Sequence, residues 1–152
     1  MVTPFTESGD VDWTAFERIV EHQIYGGVDG IVLLGTTGES STLSPEEHRK
    51  TLSRGISIVG GRTKVLAGTG SNATDEAIKY SIEAQDAGAD GLLQVVPYYN
   101  KPTQKGLTEH FTAIADSVKI PIMLYNIPGR CGVNMIAQTQ LQLARHPQIQ
   151  GV

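Results

Sequence analysis

The sequence predicts an α/β fold built from repeated βα units with parallel strands. Three observations predict it. Short apolar runs begin at Ile31, Val65, Leu92, Ile120 and Ile149, so a strand-like segment recurs about every 30 residues. A helix-like segment fills every gap between them. Crossovers of that length through a helix force neighbouring strands to run parallel. The chain also repeats itself: Gly27-Val-Asp-Gly-Ile-Val-Leu-Leu34 resembles Gly88-Ala-Asp-Gly-Leu-Leu-Gln-Val95. Each copy sets a helix end, a tight turn and a strand in the same order. A repeated unit of this kind fits a barrel better than a doubly wound sheet, although the pattern alone leaves both open.

The elements follow in order. Met1–Thr3 reads as a stub of strand. A helix starts behind Asp12, a suitable N-cap, with Trp13, Phe16, Ile19, Val20 and Ile24 on one face. Gly26-Gly27 ends it. Ile31–Leu34 is continuously apolar and reads as a strand buried on both faces. Ser44-Pro45-Glu46-Glu47 carries a capping serine, a first-turn proline and a glutamate three residues after the cap. That helix runs to about Gly60. Val65–Ala67 is a short strand. Thr74–Ala87 is a helix with Ala77, Ile78, Ile82 and Ala84 as its buried stripe. Leu92–Val96 is a strand, Thr108–Val118 a helix, and Ile120–Tyr125 a strand whose proline is tolerated near its start. Met135–His146 is a helix, and Ile149–Val152 opens another strand. The total is about five βα units and the start of a sixth strand, against eight strands and about 250 residues in a closed (β/α)₈ barrel.

Composition narrows the class. The 152 residues carry 12 basic and 16 acidic side chains with no basic run, which argues against a nucleic-acid partner. Cys131 is the only cysteine, so a disulfide scaffold is excluded. No apolar run approaches the length of a membrane span, and MVTPFTESGD does not resemble a secretory leader. The expectation is a cytoplasmic globular protein without a membrane partner.

Ligands of parallel α/β folds gather at the carboxyl ends of the strands, so the loops there hold the candidate chemistry. Gly35-Thr36-Thr37-Gly38-Glu39-Ser40 offers hydroxyls and exposed backbone N–H groups to a carboxylate or phosphate, or is a polar turn. Pro97-Tyr98-Tyr99-Asn100-Lys101-Pro102-Thr103 carries two adjacent tyrosines. One presents its hydroxyl for proton transfer or an interface, or the two are an ordinary packing pair. Tyr125-Asn126-Ile127-Pro128-Gly129-Arg130-Cys131-Gly132 sets a tyrosine at a strand end and an arginine in a turn. Its planar fork suits a carboxylate, or it caps a helix. Gly68-Thr69-Gly70-Ser71-Asn72 is a weaker signal.

GTTGES at 35–40, PYYNKPTQ at 97–104 and YNIPGR at 125–130, in this order and spacing, resemble the dihydrodipicolinate synthase family, as does VTPF at 2–5. The resemblance covers the whole chain. It implies a (β/α)₈ TIM barrel, here residues 1–152 as a partial domain incomplete at both ends. It implies condensation of pyruvate with aspartate semialdehyde in the diaminopimelate and lysine pathway, through a Schiff base on a barrel lysine. No cofactor and no metal are implied, and the full-length protein is expected to be a homodimer or homotetramer. Thr36 and Tyr125 resemble members of a proton relay whose third member, Tyr99, reaches in from the neighbouring subunit. Thr37 resembles the residue that holds the pyruvate carboxylate, and Arg130 the one that receives the carboxylate of the semialdehyde. Ser40, His48, Asn72, Glu76 and Tyr98 match the site where lysine-regulated members bind lysine. Pro45 stands where lysine-sensitive members often have histidine, and Cys131 where the family often has threonine. The imine-forming lysine has no match among Lys50, Lys64, Lys79, Lys101, Lys105 and Lys119. In the family it follows a segment like Ile149–Val152, which implies a lysine directly after Val152. A pyruvate-dependent sugar-acid aldolase or N-acetylneuraminate lyase is the nearest alternative, and a non-catalytic half-barrel module is the alternative from another class. Arg130 within PGR favours the synthase.

Overall fold

The structure, a computed structural model, describes all 152 residues. Helix α1 (Trp13–Tyr25) is capped by the Asp12 carboxylate, which accepts from the Ala15 N–H. It buries Phe16 and Val20. Strand β1 (Gly30–Leu33) leads through 3₁₀ turns at Thr36–Gly38 and Ser40–Thr42 into α2 (Pro45–Val59). Ser44 and Glu47 form the reciprocal capping box that the sequence predicts. There follow β2 (Lys64–Gly68), α3 (Thr74–Asp86), β3 (Gly91–Val95), α4 (Gln104–Asp116), β4 (Ile122–Tyr125), the one-turn α5 (Pro128–Cys131), α6 (Ala137–Leu143) and β5 (Ile149–Gly151).

The five strands pair in chain order, β1-β2-β3-β4-β5, and every pairing is parallel. A doubly wound sheet reverses its strand order at a switch point. This sheet winds in one direction only. The register brings Leu33 beside Ala67, Gly68 beside Leu93, and Val95 beside Tyr125. The carboxyl ends therefore share one edge, and the loops that follow them meet there.

Helices cover one face of the sheet. Ile31, Leu33, Val65, Ala67, Leu92, Ile122, Leu124 and Ile149 point under them and are buried. The alternate residues Val32, Leu66, Leu93 and Val95 are half-buried, and Met123 is 45% exposed. The reading of Ile31–Leu34 as buried on both faces is therefore corrected. The run is apolar throughout, but its second face has no layer over it.

Other expectations shift for local reasons. Met1–Thr3 is not a strand of the sheet. It is tied on by the Met1 ammonium donating to Val32 O (2.8 Å) and Thr3 Oγ1 donating to Gly38 O (2.7 Å). Ile82 is 38% exposed, and Ser81 takes its place in the buried stripe of α3 with Ala77 and Ala84. Small residues let α3 approach the sheet closely. Ser81 also meets a polar partner there, because Gln94 is fully buried and donates to Ser81 Oγ (2.8 Å). Helix α4 starts four residues before Thr108, capped by Thr103 Oγ1, which accepts from the Gly106 N–H. Helix α6 is shorter than Met135–His146, and the Met135 N–H lies outside it, donating to the Asn126 side chain.

Candidate active site

A cleft of about 440 Å³ opens at the carboxyl edge of the sheet. Its floor is backbone packed against backbone. A Cβ on Gly68 would lie 2.0 Å from the Leu34 carbonyl oxygen, and one on Gly70 would lie 2.5 Å from the Val95 nitrogen. Only glycine fits at either position. The ends of β1, β2 and β3 are thereby drawn together. All four non-glycine residues with positive φ, Leu34, Glu39, Tyr99 and Lys101, lie in the loops after β1 and β3. Such backbone costs about 1–3 kcal/mol per residue and persists only where its surroundings enforce it.

Beneath the floor sits a buried polar network. Gln94 Nε2 donates to Thr69 Oγ1 (2.6 Å) and to Ser81 Oγ, and Ser81 donates to Ala77 O (2.6 Å). It fixes the Gly68-Thr69-Gly70 loop from below. From the side, the His48 ring places Nε2 3.1 Å from Gly68 O and stacks on Tyr80 at 4.4 Å. Burial pushes the His48 pKa down, against the pull of that carbonyl and of Glu83 and Glu76. The neutral ring donates from Nε2, which leaves Nδ1 without a partner.

Of the five residues expected to carry catalysis and substrate binding, three line this cleft: Thr36 from the turn after β1, Tyr125 from the end of β4, and Arg130 from α5. The Arg130 side chain is exposed and forms no ion pair, so its guanidinium is free to take a carboxylate. Cys131 beside it is buried, and burial pushes its thiol pKa up. Thr37 is exposed on the same turn as Thr36 but does not line the cleft. Tyr99 is 88% exposed, at φ +71°, and does not line the cleft.

Ser40, His48, Glu76 and Tyr98 line the same cleft. Ser71 Oγ donates to Glu76 at 2.5 Å. Asn72 lies just outside the cleft and supports it, its Nδ2 donating to Tyr98 O (3.2 Å). Residues from both groups that the sequence resemblance separates thus line one cavity.

The sequence model of the dihydrodipicolinate synthetase family matches residues 1–152. The chain belongs to this family. Among curated members, the 4-hydroxy-tetrahydrodipicolinate synthase of Geobacter sulfurreducens is 56% identical over 149 residues, which is 98% of this chain and 51% of that protein. The Leptospira biflexa synthase is 50% identical over 152 residues, again with 51% of its length covered. The chain spans about half the length of the curated family members it matches. Solved family members superpose closely. The chloride-inhibited dihydrodipicolinate synthase of Acinetobacter baumannii, complexed with pyruvate, gives a TM-score of 0.97 at 49% identity, over 99% of this chain and 52% of that one. The lysine-bound enzyme of Cyanidioschyzon merolae gives 0.95 at 47% identity, over 98% and 51%.

Some residues that shape the cleft in this family member escape the sequence reading. Ser81, Gln94 and Tyr80 are among them. Gln94 carried a signal, as the one polar residue inside the run LLQVV. Tyr80 carried none, because its role depends on the packing of α3 against α2.

Proposed function

We propose that this chain is the substrate-recognition half of a 4-hydroxy-tetrahydrodipicolinate synthase and that its sheet is the first arc of a (β/α)₈ barrel. One observation carries the reading: an unpaired guanidinium, Arg130, shares a strand-end cleft with Thr36 and Tyr125. The single direction of strand order and the uncovered second face support the barrel, whose interior that face would line.

In the reaction, a lysine amine attacks the keto carbon of pyruvate and water leaves as the imine forms. The resulting nucleophile then adds to the aldehyde carbon of aspartate semialdehyde. Thr37 holds the pyruvate carboxylate through its hydroxyl and backbone N–H. Tyr125 and Thr36 move protons, with Tyr99 of a second subunit completing the relay. A free tyrosine, with a pKa of about 10, is a poor base at neutral pH, so it needs such hydrogen-bonded partners. The exposure of Tyr99 suits a residue that works in a neighbour's site. Arg130 receives the semialdehyde carboxylate.

None of the six lysines lines the cleft. Lys64 pairs with Asp90 at the amino end of β2 and Lys105 with Glu109 on α4, while Lys50 lies over Trp13. On this reading the imine-forming lysine is a residue outside this sequence, and the 152 residues alone do not turn over. The assembled enzyme is a cytoplasmic homodimer or homotetramer. Regulatory lysine binds through Ser40, His48, Asn72, Glu76 and Tyr98, which line the cleft or, for Asn72, bond to a residue that does.

The test is Arg130→Ala in the intact synthase. Loss of a bidentate charged contact lowers kcat/KM for the semialdehyde roughly 10- to 150-fold and leaves pyruvate saturation unchanged. Equal losses for both substrates would contradict the assignment and favour a role for Arg130 in holding its loop.

A further inference from the structure

Gln104 is the last residue of the run PYYNKPTQ and the first of α4. The helix does not need it there, because Thr103 already supplies the cap. Its side chain instead spans to the chain 30 residues on. Nε2 donates to Asn134 O (2.8 Å), while Oε1 accepts from the Ile136 N–H (3.2 Å) and the Thr139 hydroxyl (2.7 Å). Asn126, directly after β4, works on the same strip from the other side. Its Oδ1 accepts from the Met135 N–H (3.0 Å), and its Nδ2 donates to Met135 O (3.2 Å) and Asn134 Oδ1 (2.8 Å). The partners fix both amide orientations, because an N–H only donates and a carbonyl only accepts.

Between Asn126 and Met135 the chain makes an excursion that contains α5 and Arg130. Its internal bonds are few: the Arg130 and Cys131 N–H groups donate to Ile127 O, and the Gly132 N–H to Pro128 O. One helical turn is far too short to hold itself in water. Inside the excursion only Cys131 is buried, so the place of Arg130 depends on that one side chain and on where the excursion closes. Asn126 pinches that base, and Gln104 ties the pinch to α4. A second contact reinforces the tie, since Lys101 Cε lies 3.1 Å from where a Cβ on Gly132 would stand.

We infer that Gln104 is a positioning residue for Arg130, fixing the guanidinium in the cleft and coupling its loop to the segment that carries Tyr98 and Tyr99. The inference rests on the carboxylate role proposed for Arg130 and extends it to specificity for the second substrate.

The test uses Gln104→Met, which keeps length and removes every polar atom, and Gln104→Glu, which keeps the two acceptor contacts. Residue-resolved amide exchange reads the loop. In Gln104→Met, exchange at Arg130, Cys131, Gly132 and Met135 rises about tenfold or more, with α1 and α2 unchanged. Gln104→Glu stays within about threefold of the parent protein. Titration with succinate semialdehyde, an aldehyde carrying the relevant carboxylate, reads the guanidinium. Gln104→Met weakens binding, and the double variant with Arg130→Ala binds no more weakly than Arg130→Ala alone, as expected if one residue acts through the other. Unchanged exchange in the loop, a rise throughout the chain, or additive losses in the double variant would overturn the inference. Unchanged probe binding in Arg130→Ala, with the loop loosened in Gln104→Met, would overturn the carboxylate role of Arg130 and leave the hold of Gln104 on the loop intact.

Discussion

Substituting alanine at Gly68 tests the backbone packing that forms the floor of the cleft. The added Cβ would lie 2.0 Å from the Leu34 carbonyl oxygen and 2.6 Å from its carbon. A comfortable C···O approach is about 3.3 Å, so one backbone must retreat by about 1.3 Å. Neither is free to do so. Gly68 ends β2 beside Leu93, and its carbonyl holds His48. Leu34 is buried in a left-handed conformation directly after β1. Overpacking against side chains that can yield costs about 1–3 kcal/mol, and an unyielding backbone puts Gly68→Ala at or above about 3 kcal/mol. At roughly 2–4 °C per kcal/mol for a domain of this size, the midpoint falls by about 6–12 °C. Trp13 is the only tryptophan and sits at the α1–α2 junction between Lys50 and Arg54, so its fluorescence follows unfolding in urea or heat. The comparison variant is Gly129→Ala, next to Arg130, where a Cβ meets nothing within 4 Å. It is neutral or stabilises by up to about 1 kcal/mol, since alanine favours the helical turn and restricts the unfolded chain. An unchanged midpoint for Gly68→Ala would refute the close approach of β1 and β2 at the cleft.

Two further outcomes follow from buried groups. Burial lowers the His110 pKa from 6.5 to about 4, and its Nε2 has no partner. The unfolded chain therefore takes up a proton that the native ring refuses. The His110 contribution is complete above about pH 6.5 and is lost as pH falls towards 4, by up to about 3 kcal/mol. Urea midpoints measured between pH 6.5 and 5 should fall with acid, and His110→Gln should flatten that slope; an unchanged slope would show that the ring titrates normally. Ile82→Ala should cost less than about 1 kcal/mol, because half-exposed positions lose little on truncation, whereas Leu107→Ala at a fully buried site should cost about 2–5 kcal/mol. Equal losses in thermal unfolding would restore Ile82 to the buried stripe of α3.

Much of the fold was legible because its signals are local. The Ser44–Glu47 capping box, the Asp12 cap and the spacing of apolar runs each act within a few residues. Features set by distant partners were not. Helix α3 turns Ser81 inward because Gln94 awaits it across the sheet, which no periodicity within residues 74–87 records. Helix α4 begins before Thr108, with Gly106 inside its first turn and Thr103 as its cap. Helix α5 is too short to show a period at all. Of the candidate site, Thr36, Tyr125 and Arg130 were legible as strand-end loop residues, and all three line the cleft. Their supports were not: Gln104 and Asn126 are ordinary polar residues until the fold brings residues 134–139 beside them.

The proposed role is recognition of the substrates of a Schiff-base enzyme by a chain that does not supply the imine-forming amine. Borohydride reduction of the 152-residue chain in the presence of pyruvate, followed by peptide mass mapping, tests it most directly. The account predicts no reduced pyruvate adduct on Lys50, Lys64, Lys79, Lys101, Lys105 or Lys119, since none of these amines lines the cleft where burial would lower its pKa. A stoichiometric adduct at any one of them would contradict it.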